Sequence, residues 1–281
     1  GNKSKAMRHM FFAEREVAKV PGITRQTPVQ KIGKAAVIGS GTMGGGIAMN
    51  FANAGIPVTL ADVSDKALVA GLGKVRGNYA GSVSRGRLTQ DEMDKRMALI
   101  SATTAYADLA DADIVVEAVF EDMELKKKIF GELDTACKPE TILASNTSSL
   151  DLNEIGAATS RPDKVCGAHF FSPANVMKLM ENVRTGAASD ETVATLMNLS
   201  KTLGKTGVLV GVGDGFVGNR MLHVAARIAE FMVEEGALPW QVDQVIYDFG
   251  FPMGPFAMND LAGIDVRYSI RQEQLKLNAD L

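Results

Sequence analysis

The sequence predicts an α/β fold, a doubly wound parallel sheet followed by a helical C-terminal region. Three observations carry this. Short apolar stretches alternate with helical patterns from Lys34 onward. A glycine-rich turn sits between the first of these strands and the helix after it. Beyond about residue 214 the strand pattern stops and only helical spacing continues. Apolar strands alternating with helices indicate parallel βαβ units covered on both faces.

The elements follow in order. "KAMRHMFFAEREVAK" (5–19) places Met7, Met10, Phe11, Ala13 and Val17 at helical spacing with charges between them, which predicts an amphipathic helix. "PGITRQTPVQ" (21–30) has the prolines and polar residues of a linker. "KAAVIGS" is a short strand running into glycine, "TMGGGIAMNFANAG" a helix closed by Gly55, and "PVTLAD" the second strand. Helices are predicted over 65–84 and 90–98. "DIVVEAVF" (113–120) is a strand followed by a lysine-rich helix, and "TILASN" (141–146) another strand. "KVCGAHF" (164–170) and "VMKLMENVR" (176–184) predict two more strands. A helix near 190–203 and the strand "TGVLVG" (206–211) complete the α/β part. Helices are then expected over 221–236, 239–250 and about 256–278. The expected domains are a linker helix and linker (1–31), a nucleotide-binding domain (32–213), and a helical C-terminal domain (214–281) that stops early and is partial. No internal repeat is visible.

The chain has 281 residues, 46% hydrophobic and 22% charged, with a formal charge of -3. That composition is ordinary for a globular chain, and the slight negative charge argues against a general nucleic-acid binder. No apolar run approaches the roughly 18 residues of a membrane span. The N-terminus lacks the apolar core and cleavage site of a secretory signal. Cys137 and Cys166 have no metal-type spacing, and no His, Cys, Asp or Glu cluster does either. A reduced, cytoplasm-like compartment and no metal are expected.

Gly39-Ser40-Gly41-Thr42-Met43-Gly44 fits a dinucleotide-binding fingerprint in its required strand-turn-helix context, so the sheet is expected to be of the Rossmann type. Gly39 permits the tight turn, Gly41 lets a pyrophosphate approach the backbone, and Gly44 lets helix and strand pack closely. Thr42 and Met43 open the helix, whose N–H groups and dipole favour phosphate. Gly45 and Gly46 extend the run and are assigned only to close packing. Asp62 ends the second strand, 21 positions after Gly41, where an acidic residue accepts from a ribose 2′-OH and repels a 2′-phosphate. NAD is therefore expected over NADP. The competing role for Asp62 is a helix cap or solvated turn.

"VIGSGTMGGGIA", "VVEAVFED", "ASNTSSL", "GAHFFSPANVMKLMENV" and "GDGFVGNRML" together resemble the L-3-hydroxyacyl-CoA dehydrogenase family, over about residues 32–270 and in the family's order. The helix "RHMFFAERE" and linker ahead of them resemble the segment joining the enoyl-CoA hydratase and dehydrogenase parts of the bacterial fatty-oxidation multifunctional enzyme, α-subunit type. The resemblance implies NAD-dependent oxidation of L-3-hydroxyacyl-CoA to 3-ketoacyl-CoA in fatty-acid β-oxidation. It also implies an acyl-CoA substrate, a fused hydratase domain and a thiolase subunit in the parent, a dimer, and the bacterial cytoplasm. Two other readings stay open: a short-chain 3-hydroxybutyryl-CoA dehydrogenase, and a non-catalytic NAD-binding relative of the lens-crystallin kind.

Residue by residue, the resemblance makes His169 the catalytic base. An imidazole titrating near neutrality suits the removal of a hydroxyl proton. A core histidine bonded to backbone is the alternative. Glu181 falls at the family's glutamate, bonded to the imidazole, against the alternative of an exposed strand charge. Ser148 matches the serine that bonds the substrate oxygen. Ser149 adjoins it, and Ser148 is preferred because it lies 21 residues before His169, as in the family; a helix cap is its rival. Asn219 matches the asparagine lining the substrate end, or else caps the following helix. Glu121 and Lys126 match positions near the cofactor's ribose and nicotinamide side. Glu117 lies close by, and Lys126, beside Lys127 and Lys128, could instead belong to a solvated basic face. Asn146 stands at a strand C-terminal end, where cofactors bind in such sheets. Lys74, Arg76, Arg85 and Arg87 could attract CoA phosphates, but a charge run of this kind is more often a solvated face and they are left out of the site; His9 and His223 have no partner pattern, and His223 reads as a packing residue of its helix.

Overall fold

The computed structural model describes residues 1–264 and Tyr268. It divides into two compact units, Gly1–Phe216 and Val217–Leu281. In the first, β1 (Ala35–Ile38), β2 (Val58–Ala61), β3 (Ile100–Thr103), β4 (Ile114–Glu117), β5 (Ile142–Ser145), β6 (Val165–Phe170), β7 (Leu179–Arg184) and β8 (Thr206–Gly211) form one sheet. Their spatial order is β3-β2-β1-β4-β5-β6-β7-β8. The first six strands are parallel and follow the 3-2-1-4-5-6 order of doubly wound dinucleotide folds. β7 runs antiparallel to β6, and β8 is parallel to β7. The parallel, doubly wound sheet thus ends in two strands, β7 and β8, that run opposite to the other six.

Both faces of the central strands are covered, which is why "AAVI" and the "IVV" of β4 are apolar throughout rather than alternating. Ala35 and Val37 face one cluster with Ile47 and Phe51 of α2 (Thr42–Asn53). Ala36 and Ile38 face the other, with Phe130 and Leu133 of α5 (Met123–Ala136) and Ile155 of α6 (Leu152–Ala157). α3 (Asp65–Ser84) and α4 (Gln90–Ala98) pack a smaller cluster around Tyr79 and Met93. α7 (Asp190–Thr202) adds Leu196 and Leu199 to the first face. β3 was not anticipated as a separate element. "ISAT" is half exposed at the sheet edge and carries little apolar signal.

α1 (Asn2–Glu16) buries none of its residues. The linker after it is docked: Val20 and Ile23 pack with Val193, Met197 and Leu209, and the Gln30 amide donates to Thr195 Oγ1 at 2.9 Å.

The second unit contains α8 (Gly218–Glu234), α9 (Pro239–Phe249) and α10 (Pro255–Ala262). Most of the helix expected over about 256–278 lies outside the described residues. Gly250, at φ 116°, ends α9, and Asp243 accepts from the Phe256 and Ala257 amides that open α10. Among its described residues Ala226, Ala229 and Val242 are buried, while Met221, Val224, Ile228, Trp240 and Phe249 are exposed. Among the described residues no helix is long and apolar enough to cross a membrane.

Candidate active site

The parallel strands β1, β4, β5 and β6 all end on the same edge, and most candidate residues of the first unit lie on or just after these strand ends and that of β2. Register makes this explicit: Ile38 pairs with Glu117, Glu117 with Ser145, and Ser145 with Gly167, two residues before His169. Ligands bind at the carboxyl edge of such sheets.

The glycine turn is shaped by close approach. Gly39 sits at φ 96°, and a Cβ there would lie 2.7 Å from the Ala118 carbonyl oxygen. A Cβ on Gly44 would overlap the Gly39 carbonyl oxygen. Gly41 differs, since a Cβ there would meet nothing within 4 Å. The room above Gly41 is therefore space a side chain would fill. α3 to α7 are each capped at the N-terminus by a side chain (Ser64, Thr89, Asp122, Asp151 and Ser189), but α2, with Gly41 at its cap, is not. Exposed Gly41 and Thr42, half-buried Met43, a free helix end and open space above it suit a pyrophosphate. Gly45 and Gly46 are packing residues: Cβ atoms there would press at 3.2 Å on Val75 Cγ2 and at 3.1 Å on Ala174 Cβ.

Asp62 is tied to this turn. Its Oδ2 accepts from the Ser40 amide at 2.7 Å and the Ser40 hydroxyl at 2.6 Å, and Oδ1 accepts from the Val63 amide at 2.7 Å. Ser40 thus aims the carboxylate beside the helix end, a partner that the spacing argument did not include.

His169 and Glu181 are directly opposed on antiparallel β6 and β7. His169 Nδ1 and Glu181 Oε2 lie 2.8 Å apart, with His169 5% and Glu181 1% exposed. Glu181 is thus neither a solvated strand charge nor remote. Because a carboxylate only accepts, the bond places the proton on Nδ1 and leaves the Nε2 lone pair available. The rings of Phe171 and Phe216 pack on the imidazole, with centroids at 4.6 and 5.6 Å.

Asn146 follows β5, and its Oδ1 accepts from the Phe170 amide at 2.8 Å, joining the ends of β5 and β6. Ser148 does not cap α6, a role taken by Asp151. Its amide and hydroxyl donate to Glu121 Oε1 at 2.8 and 3.3 Å, and the Thr147 and Ser149 hydroxyls do so at 2.6 and 3.3 Å. Lys126 is not on a solvated face: it is 1% exposed, with Nζ 2.7 Å from Glu117 Oε1 and 3.4 Å from Glu121 Oε2. Glu117 is wholly buried, and its other oxygen accepts from Ser145 Oγ at 2.6 Å. Sequence reasoning passed over Glu117, although a charge inside "IVVEAV" was a visible signal that it has a buried partner. Asn219 belongs to the second unit. It lies within α8, one residue past the helix start, and is not its cap.

Burial pushes the Glu121 carboxyl up, but the Lys126 charge and the bonds from Thr147 and Ser148 outweigh it and hold the group below its usual value of 4.5. The unfolded chain therefore takes the proton first. The Glu121 contribution to stability is present above about pH 4.5 and is lost as pH falls through the folded value. Melting temperatures measured against pH should fall less steeply below pH 4.5 in Glu121→Gln than in the parent. Identical slopes would remove the carboxylate from this role.

The model of the family described as 3-hydroxyacyl-CoA dehydrogenase, NAD binding domain, matches residues 34–227, and that of the 3-hydroxyacyl-CoA dehydrogenase C-terminal domain matches residues 215–280. The Arabidopsis thaliana peroxisomal fatty acid beta-oxidation multifunctional protein MFP2 is 44% identical over 264 residues, 94% of this chain and 36% of its own length. The chain thus spans about a third of that relative. Among solved structures, FadB2 of M. tuberculosis is 36% identical with a TM-score of 0.84, covering 89% of each chain. The dehydrogenase part of multifunctional enzyme 1 from C. elegans is 31% identical with a TM-score of 0.71, covering 93% of this chain and 63% of that one.

Proposed function

The chain belongs to the 3-hydroxyacyl-CoA dehydrogenase family, and from that premise we propose that it oxidises L-3-hydroxyacyl-CoA to 3-ketoacyl-CoA with NAD in fatty-acid β-oxidation. The observation that carries the reading is the buried His169–Glu181 pair on the nucleotide edge of the sheet. NAD held at the glycine turn would supply the hydride acceptor that oxidation of the carbinol carbon requires. His169 Nε2 takes the hydroxyl proton, and Glu181 stabilises the imidazolium that results. Ser148 and Asn219 hold the substrate oxygen, and an amide donor at Asn219 suits the charge that builds on it in the reverse direction. Gly39, Gly41, Thr42, Met43 and Gly44 cradle the pyrophosphate, and Asp62 takes the adenosine ribose. Glu121 and Asn146 line the nicotinamide side, with Lys126 behind Glu121.

In the parent protein this chain serves as the dehydrogenase part of a multifunctional enzyme, joined to an enoyl-CoA hydratase domain and working with a thiolase. Relatives named as multifunctional β-oxidation proteins support that arrangement. Dimerisation through the helical unit is supported by the exposed apolar side chains of α8 and α9. Our reading of the compartment is a reduced one, the bacterial cytoplasm; two buried free cysteines suit it, while the named relatives include peroxisomal enzymes.

Acetoacetyl-CoA reduction by NADH tests the assignment. NADH should be consumed, and NADPH should be used at least about tenfold less efficiently because Asp62 opposes a 2′-phosphate. Bound NADH without turnover would leave only the non-catalytic reading. Equal use of NADPH would remove Asp62 from the ribose.

A further inference from the structure

The segment Thr147–Ser149 presents Ser148, yet what holds it is a carboxylate from another loop. Glu121 Oε1 gathers the Thr147 hydroxyl and the Ser148 amide and hydroxyl. Glu121 is itself steered by a buried cation, since Lys126 Nζ lies 3.4 Å from its Oε2. That cation is anchored at 2.7 Å by Glu117, which no solvent reaches. A second route leaves the same residue. Ser145 Oγ donates to Glu117 Oε2 at 2.6 Å and accepts from the Thr147 amide at 3.2 Å. Glu117 and Ser145 are register partners on β4 and β5, so both routes start from the rigid centre of the sheet.

We propose that Glu117 and Lys126 are positioning residues, a buried relay that sets Glu121 and through it the orientation of Ser148. The inference rests on the role given to Ser148 above, but its geometric content does not. Two features argue for position over stability alone. A buried ion pair is a costly way to fill a core, and apolar residues of like volume commonly serve as well or better. Moreover, every oxygen of Glu117 is spent on a group that leads toward the seryl turn or fixes the strand end, since Oε1 also accepts from the Val119 amide at 2.7 Å. Neither Glu117 nor Lys126 needs to touch substrate to act. Displacing a reacting group by about 1 Å can cost about 100-fold in rate.

The test separates position from stability. Glu117→Gln removes the nearer of the two carboxylates and leaves the buried Lys126 charge with only Glu121 at 3.4 Å, so its melting temperature should fall. The double variant Glu117→Gln/Lys126→Met removes both charges and should recover much of that loss. If the pair only stabilises the fold, kcat for acetoacetyl-CoA reduction recovers with the melting temperature. If it positions Ser148, kcat stays about tenfold or more below the parent. A second readout needs no turnover and so stands even if the proposed reaction fails. The Ser148 amide proton, deshielded by the Glu121 carboxylate, should move upfield in the NMR spectrum of the double variant, while the core amides of Val37 and Leu60 stay in place. Ser145→Ala, which cuts only the second route, should shift the same amide in an otherwise unchanged fold. A double variant with parental kcat, or a Ser148 amide unmoved in both variants, overturns the relay.

Discussion

Replacing His169 with asparagine lowers kcat for acetoacetyl-CoA reduction by about 10²–10⁴-fold, the range expected when a general acid–base is removed. NADH binding, measured by fluorescence titration, is retained, because Asp62 is bonded to Ser40 of the glycine turn while the imidazole is bonded to Glu181. Asparagine keeps a polar group of modest size in the buried site but has no nitrogen that takes a proton near neutrality. Glu181→Gln is the informative companion. An amide oxygen still accepts from Nδ1, so the tautomer is preserved while the counter-charge to the imidazolium is lost. A fall of about tenfold, near 1.4 kcal/mol in the barrier, is expected from replacing a charge-assisted bond by a neutral one. A His169→Asn protein with parental kcat would end the assignment of the base.

Two glycines of the same turn with different surroundings, Gly44 and Gly41, give the second large effect. Gly44→Ala should both destabilise the protein and abolish detectable NADH binding. Its methyl would overlap the Gly39 carbonyl oxygen and lie 3.4 Å from Val37 Cγ1, so α2 has to lift from β1. Overpacking of this kind costs about 1–3 kcal/mol, and more where backbone is the obstacle. Gly41→Ala should behave differently. The methyl enters open space and Gly41 has φ -65°, so the melting temperature should stay near that of the parent. NADH affinity should still fall, because the methyl occupies the room assigned to the pyrophosphate. Thermal melts and NADH titrations on the two variants decide it. Unchanged affinity in Gly41→Ala would displace the cofactor from this turn.

Much of this architecture was legible in one dimension because it is written in local chemistry. Asp65–Ser84 and Gln90–Ala98 emerged at the predicted bounds, since Ser64 and Thr89 cap them and the helical spacing is sustained. The glycine turn was legible because steric permission belongs to single residues. His169 and Glu181 stood out as polar residues within an apolar run, and the family resemblance supplied their pairing. β3 was missed because a short, half-exposed edge strand needs little apolar character.

What local pattern could not supply was the identity of polar partners. The reversal of β7 places Glu181 opposite His169, yet strand direction is set by how the segment between them folds back, not by the strand's own residues. Lys126, one of three consecutive lysines, is buried while Lys128 is exposed, because α5 turns one face to the sheet and Glu117 waits there to balance the charge. Ser40 with Asp62, Asn146 with the Phe170 amide, and Glu121 with the seryl turn are likewise bonds between loops 22 to 27 residues apart. The sequence by itself determined which segments become strands, helices and the phosphate turn, because backbone sterics and apolar periodicity act over a few residues. Only the tertiary structure decided which charge meets which, because a buried polar group is satisfied by whatever the packed sheet brings within about 3 Å of it.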